Sequence, residues 1–182
     1  MSSLLDRILK SQLELYLMQY QSVFLMSCGS VSAMPLLADR KAVVHVADKD
    51  KKRLRDFLAT KGEYRCRTYG SPLSKDFAGS VSRGVQLKNS VDLVQMCDFA
   101  YVMPQLDDIV ALVHELLNDN GYLMGACDVK TLEVLQLKLA PGFRCVSISG
   151  MADWVTTIKN CTQTHDWSQM SSGWRSFVFQ KK

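Results

Sequence analysis

The sequence predicts an α/β fold in which a doubly wound, mostly parallel sheet carries helices on both faces. Short apolar runs alternate with amphipathic helical segments along almost the whole chain, and strands in such an alternation pair in parallel through right-handed crossovers. The apolar runs also lack the alternating polar residues of a half-exposed strand, as expected for strands covered on both faces. For 182 residues we therefore expect one domain, 1–182, with about six or seven strands.

The amino-terminal half begins with an amphipathic helix and continues as strand–helix pairs. Apolar residues recur at helical spacing in residues 3–20, which predicts the leading helix. The segment 71–84 is rich in Ser and Gly without a period, which predicts a loop. The five segments between them are predicted, in chain order, as strand, helix, strand, helix and strand: 22–27, 30–39, 41–48, 49–62 and 63–70.

The carboxy-terminal half is predicted from the same patterns. The helix at 105–121 has the clearest apolar stripe, and Asn120-Gly121 is expected to end it. Asp128 is expected to cap a later helix. In chain order, the predicted helices of this half are 87–97, 105–121 and 129–142. The predicted strands are 98–104, 122–128, 143–149 and 174–180.

The composition is that of an ordinary folded chain. Hydrophobic residues make up 47% and charged residues 22%, which excludes general disorder. A net charge of +4 is too small by itself to indicate a nucleic-acid partner. Charged residues interrupt the first apolar stretch, and no window approaches the roughly 18 uncharged apolar residues of a membrane span. We therefore expect a cytoplasmic protein.

The order of the elements resembles that of the S-adenosylmethionine-dependent methyltransferase family. Asp48 ends the second strand, "ELLNDNGYLMGA" gives a helix, turn and strand, and "WRSFVFQKK" gives a closing strand. The resemblance runs from about Val23 to Lys182. It implies a Rossmann-like sheet with a terminal antiparallel strand, a donor site at the turn after the first strand, and a ribose contact from Asp48. From the residues alone, Asp48 is also a good amino-terminal cap for the helix that follows.

The turn "SCGSVS" departs from the family's donor-binding pattern, which reads acid-x-Gly-x-Gly-x-Gly. Aligned on this chain, the acid falls on Leu25 and the glycines fall on Ser27, Gly29 and Val31. Glycines permit positive φ and a close approach of the backbone to the cofactor, and only Gly29 is kept. Ser27, Gly29 and Asp48 are thus the residues of a vestigial cofactor site, and no catalytic residue is assigned.

A narrower resemblance covers 85 to about 150 and the closing strand. The segments "VQLKNSVDLVQMCDFAYVMPQ", "LLNDNGYLMG" and "GFRCVSISG" are similar to the amino-terminal domain of the anamorsin family. This resemblance implies a non-catalytic interaction domain in cytosolic iron–sulfur cluster assembly, with a protein partner such as a diflavin reductase and no cofactor in this chain. The six cysteines are scattered without a C-x-x-C pair, so no metal site is expected.

Two alternatives remain open at this stage. An active methyltransferase with a variant donor loop would place S-adenosylmethionine against Gly29 and Asp48, with residues 98–104 facing the substrate. An RNA-binding scaffold would use the basic segment after the second strand, which is also the candidate partner-binding surface: Lys49, Lys51, Lys52, Arg53 and Arg55.

Overall fold

A seven-stranded sheet forms the centre of the computed structural model, which describes residues 4–27, 33–59, 65–70, 81–82, 87–97, 102–150 and 173–182. The strands are β1 (Ser22–Met26), β2 (Val43–Asp48), β3 (Arg65–Gly70), β4 (Val91–Met96), β5 (Leu117–Asp128), β6 (Phe143–Gly150) and β7 (Trp174–Lys181). The helices are α1 (Leu4–Tyr16), α2 (Met34–Asp39), α3 (Lys51–Ala59), α4 (Leu106–Leu116) and α5 (Val129–Leu139).

The strand order across the sheet is β3-β2-β1-β4-β5-β7-β6. Strands β1 to β5 pair in parallel, whereas β7 lies antiparallel between β5 and β6. The predicted mostly parallel sheet with a terminal antiparallel strand is therefore confirmed. The chain builds β1, β2 and β3 outwards in one direction and then returns to place β4 on the other side of β1. The sheet thus reverses its winding between β1 and β4.

The two faces of the sheet are covered by different helices, as a doubly wound fold requires. Val23 and Leu25 of β1 enter a core with α1, α2 and α3. Phe24 and Met26, which alternate with them, enter a second core with α4 and α5. All four side chains are buried. A strand covered on both faces must be apolar at every position, which explains why β1 has no polar alternation.

A pair of buried amides fixes α1 on the sheet. Gln12 of α1 donates from Nε2 to the carbonyl oxygen of Gly125 at 2.8 Å, and Gln95 of β4 donates to the carbonyl oxygen of Leu9 at 2.8 Å. Both glutamines are fully buried, so these bonds are needed to offset the cost of removing the amides from water. Ile8, at the opposite end of α1 from Tyr16, packs against Ala126 near the carboxyl end of β5.

The predicted helix at 87–97 is wrong, because Val91–Met96 forms strand β4. The two polar residues of β4, Asp92 and Gln95, are hydrogen-bonded within the molecule. Asp92 accepts hydrogen bonds from the backbone N–H of Ser22 at 2.7 Å and from Asn118 Nδ2 at 3.0 Å. Because Asp92 and Gln95 have hydrogen-bond partners, the segment can form a strand between β1 and β5 in the middle of the sheet.

Three neighbouring boundaries also differ from the prediction. Of the strand predicted at 98–104, residues 98–101 lie outside the described residues, and Met103–Gln105 forms a 3₁₀ turn that leads into α4. The helix predicted at 105–121 ends at Leu116, because the next residue begins β5 and pairs with Val91. Of the loop predicted at 71–84, the structure describes 81–82, which are helical.

Lys181 fastens the start of β5 to the end of β7. Its ammonium group donates to the carbonyl oxygen of Leu117 at 2.7 Å and to Asn89 Oδ1 at 3.0 Å, and the residue is buried. Asn120 adopts a positive φ of 65° in this part of β5, where the pairing with β4 changes register. None of the helices in the described ranges is long and apolar enough to cross a membrane.

Asp128 caps α5, as predicted, and its replacement tests this boundary. Its carboxylate accepts from the backbone N–H of Thr131 at 3.0 Å and from Thr131 Oγ1 at 2.6 Å. These hydrogen bonds lower the pKa of Asp128. Asp128→Ala is expected to lower the free energy of unfolding at pH 7 by about 1 kcal/mol, measured by urea denaturation.

The pH dependence of this loss has a defined sign. A carboxyl whose folded pKa lies below its unfolded pKa stabilises the fold above the unfolded value, and this contribution is lost as the pH falls. The difference between wild type and Asp128→Ala should therefore shrink below about pH 4. Asp128→Asn keeps an acceptor and serves as the control, with a smaller loss at pH 7. Equal stability of wild type and Asp128→Ala at pH 7 would contradict the cap.

Candidate functional site

The carboxyl ends of β1, β2 and β4 meet at one edge of the sheet, where its winding reverses. The backbone N–H of Ser27 donates to the carbonyl oxygen of Ala47 at 2.7 Å, and that of Cys97 donates to Met26 at 3.1 Å. These bonds set Ser27, Asp48 and Cys97 side by side, each just beyond or at the end of its strand. Open α/β sheets bind ligands in the crevice at this kind of reversal point.

Ser27 has the backbone conformation that the family's pattern assigns to a glycine. Its φ is 65°, and the residue is buried. A left-handed conformation costs a non-glycine residue about 1–2 kcal/mol, so the surrounding structure must hold it. The positive φ that a glycine would permit at this position is therefore present without a glycine. Residues 28–32, including Gly29 and Val31, lie outside the described residues.

Leu25 occupies the position of the pattern's acid, and its side chain belongs to the core. It is 1% exposed and packs in the cluster formed with α1, α2 and α3. An apolar side chain cannot accept a hydrogen bond from a ligand. Leu25 therefore contributes to the core at a position where the family's pattern has an acid.

Asp48 lies at the end of β2 with its side chain fully buried. Its Oδ1 accepts from the backbone N–H of Asp50 at 2.8 Å, and its Oδ2 lies 3.5 Å from Nε of Arg53. Asp48 does not cap α3, so that alternative is wrong. The cap is Asp50, whose Oδ1 accepts from the backbone N–H groups of Lys52 and Arg53 at 2.8 and 3.3 Å.

The five predicted basic residues do not share one environment. Lys51, Lys52 and Arg55 are exposed, whereas Lys49 and Arg53 are half-buried. Arg53 faces Asp48. The segment therefore combines a cation that orients the candidate ribose-binding acid with three cations that face solvent.

The two histidines in the described ranges both pack against aromatic rings. His45 is buried, and its ring stacks on Phe24 with centroids 6.2 Å apart and an interplanar angle of 10°. His114 is exposed, and its ring meets the edge of Phe143 at 5.8 Å. His45 is thus a core residue. His165, which lies beside Asp166 in the sequence, falls outside the described residues.

The cysteines in the described ranges are not joined in disulfides. Within those ranges, no group of three His, Cys, Asp or Glu side chains could hold a metal ion. Cys97 lies at the reversal point between β1 and β4, and sequence reasoning missed it because the segment was assigned to a helix. The short apolar run "VDLVQM" was the available signal for a strand that ends there.

No family model matches this sequence, and no curated protein matches it. The fold is nevertheless that of known S-adenosylmethionine-dependent methyltransferases. A TehB-like methyltransferase from Corynebacterium glutamicum superposes with a TM-score of 0.64 at 13% identity, covering 99% of this chain and 89% of that chain. The N-methyltransferase NodS from Bradyrhizobium japonicum superposes with a TM-score of 0.65 at 14% identity, covering 97% and 96%.

A second NodS structure contains S-adenosyl-L-homocysteine and superposes with a TM-score of 0.64 at 13% identity, covering 98% of this chain and 88% of that chain. Identities this low establish the Rossmann-like, methyltransferase-like fold and nothing finer. The resemblance to the methyltransferase family is confirmed at that level. The narrower resemblance to the anamorsin family stays a prediction.

The left-handed conformation of Ser27 can be tested by substitution. Ser27→Val puts a β-branched residue at positive φ and is expected to lower the free energy of unfolding by roughly 1–3 kcal/mol. Ser27→Gly should cause no such loss, because glycine adopts this conformation without strain. The measurement is urea denaturation. Ser22→Val is the control at a strand position without positive φ, although it removes the hydrogen bond from Ser22 Oγ to the carbonyl oxygen of Ser90 at 3.1 Å. A loss as large as that of Ser27→Val would contradict the assignment to φ.

Burial predicts unequal reactivity of the thiols. Burial, with a smaller contribution from the neighbouring Asp128 charge, raises the pKa of Cys127 to about 12, so almost no thiolate forms near pH 8. Iodoacetamide should therefore leave Cys127 unmodified in the native protein and should alkylate the exposed Cys145. Peptide mass spectrometry before and after denaturation measures this. Alkylation of both at equal rates in the native state would contradict the burial.

Proposed function

We propose that this chain is an S-adenosylmethionine-dependent methyltransferase that holds its donor at the carboxyl ends of β1 and β2. The observation that carries the proposal is the juxtaposition of the left-handed turn at Ser27 with the buried carboxylate of Asp48, on adjacent strands at the reversal point of the sheet. S-adenosylmethionine would supply an electrophilic methyl group. The chain's own part would be to hold and orient the donor through these two residues.

The burial of Asp48 supports a binding role. Removing a carboxylate from water costs several kcal/mol, and ion pairing recovers this only in part. A well-packed apolar residue is often as good for stability at such a position. Because Asp48 ends a strand at a ligand-binding edge and is oriented by Arg53 and by the N–H of Asp50, recognition of ligand hydroxyl groups explains the acid better than stability does.

The conformation of Ser27 supports the same site. A strained backbone that the surrounding structure maintains is typical of ligand-binding turns. At positive φ the chain turns sharply after β1 and leaves the carboxyl edge accessible, which is the purpose of the first glycine in the family's pattern. The two features that fit the donor are therefore Ser27 and Asp48, whereas Leu25 does not fit the acid of the pattern.

A second candidate function is the non-catalytic interaction domain implied by the resemblance to the anamorsin family, with a protein partner in iron–sulfur cluster assembly. The observation that favours it is Leu25, which replaces the acid of the donor-binding pattern with a core side chain. This candidate differs from the first in one measurable respect, since it requires no affinity for the donor.

Calorimetry with S-adenosylmethionine and with S-adenosyl-L-homocysteine separates the two candidates. The methyltransferase proposal expects dissociation constants in the micromolar range. Asp48→Asn should weaken binding by at least about tenfold, because a hydrogen bond to a charged group contributes about 1.5–3 kcal/mol and tenfold corresponds to about 1.4 kcal/mol. Circular dichroism of the variant establishes that it is folded at the temperature used.

Asp119→Asn is the matched control, because Asp119 is 85% exposed and lies at the start of β5, at the amino-terminal end of the sheet. Its binding should stay within about twofold of wild type. An absence of heat with both compounds for the wild-type chain would overturn the methyltransferase proposal and favour the interaction domain. Equal weakening by Asp48→Asn and Asp119→Asn would overturn the assignment of Asp48.

A further inference from the structure

The positive charge of the chain is concentrated in one short segment. Residues 49–67, which run from the end of β2 through α3 into β3, contain eight basic and three acidic residues, a net charge of +5. The whole chain carries +4, so all the other residues together carry −1. The weak overall net charge thus combines a strongly basic segment, which includes α3, with a slightly acidic remainder.

Asp48 and Asp50 are engaged at the start of α3, whereas Asp56 is an exposed carboxylate of α3 one turn after Lys52. Asp48 is fully buried against Arg53. Asp50 accepts from the first backbone N–H groups of α3. Lys51, Lys52 and Arg55 are exposed, and no carboxylate within the described ranges forms an ion pair with them. Lys51 and Arg55 lie one turn apart, on the same side of the helix.

The surface of α3 also lacks the apolar anchors of a protein interface. Phe57 is its one fully buried side chain. The large apolar side chains that are exposed in the described ranges lie on α1 and the turn after it, on α5 and on β6. Protein interfaces depend on buried aromatic and apolar residues, whereas a nucleic-acid backbone is held by cations that contact phosphates. A basic surface without exposed apolar side chains therefore favours a partner that carries phosphates over a protein partner.

We infer that α3 is a nucleic-acid-binding surface on which Lys51, Lys52 and Arg55 contact the phosphodiester backbone of a single strand. The surface begins three residues after Asp48, at the carboxyl edge of the sheet. A bound strand would therefore pass close to the candidate donor site, although the inference does not depend on donor binding. Contacts of this kind carry no base specificity, so RNA and DNA of the same sequence should both bind.

The experiment measures fluorescence anisotropy of a labelled mixed-sequence single-stranded RNA of about 20 nucleotides. Each phosphate contact on a single strand contributes about −0.7 to the slope of log K against log salt, so three contacts give about −2. Raising the salt concentration from about 50 to 200 mM should weaken binding roughly 20-fold. The triple variant Lys51→Gln/Lys52→Gln/Arg55→Gln should lose most of the affinity and most of this slope. Arg53 is left intact because it pairs with Asp48.

The matched control removes three other exposed lysines, in the variant Lys41→Gln/Lys88→Gln/Lys130→Gln. It lowers the net charge equally and should leave affinity and salt slope within about twofold of wild type. Equal losses in both triple variants would overturn the inference, because binding would then follow net charge alone. A salt-independent affinity would also overturn it. If polyglutamate competed as effectively as unlabelled RNA, the inference would also be overturned. The surface would then be assigned to acidic protein partners.

Discussion

The parallel pairing of β1 on both of its sides is the constraint on which the rest of the structure depends. After Ser22, every side chain of β1 meets one of two cores, so Val23 to Met26 leave no room for a polar group. Since its neighbours run in the same direction, their hydrogen bonds continue past its end to Ser27 and Cys97. Polar groups gather where these strands stop, and the candidate site follows from the pairing that builds the core.

Two features at this edge have a local energetic cost and are not required by the sheet. Ser27 holds a left-handed conformation, and Asp48 is a carboxylate withdrawn from water. Neighbouring groups offset both costs: the Ser27 N–H is bonded to Ala47, and Asp48 is oriented by Arg53 and the N–H of Asp50. Local departures of this kind concentrate where a fold serves a ligand. Their occurrence on adjacent strands, and not at scattered positions, connects the energetics of the fold to the proposed function.

The bounds of β1 and β2 were predicted closely from the sequence, because a short uninterrupted apolar run is typical of a buried strand. The prediction failed at β4, where a short apolar run fits a strand or a buried helix equally well. The choice is made by distant partners, since Asp92 binds Ser22 and Gln95 binds α1. The positive φ of Ser27 could not be predicted either, because serine has no preference for it. The strand conformation of β4 and the positive φ of Ser27 depend on tertiary contacts, whereas the alternation of strands and helices follows from the local sequence.

Leu25 restricts how the proposed donor site could bind its ligand. Its side chain is directed into the core with α1, α2 and α3, and not towards the edge that Ser27 and Asp48 share. An acid at this position would be a buried carboxylate among apolar side chains, which costs far more than one hydrogen bond returns. The core has therefore adapted to leucine, and a single substitution cannot restore the family's pattern. Under the proposed function, donor binding would rest on the turn at Ser27 and on Asp48, with Arg53 fixing the orientation of the acid.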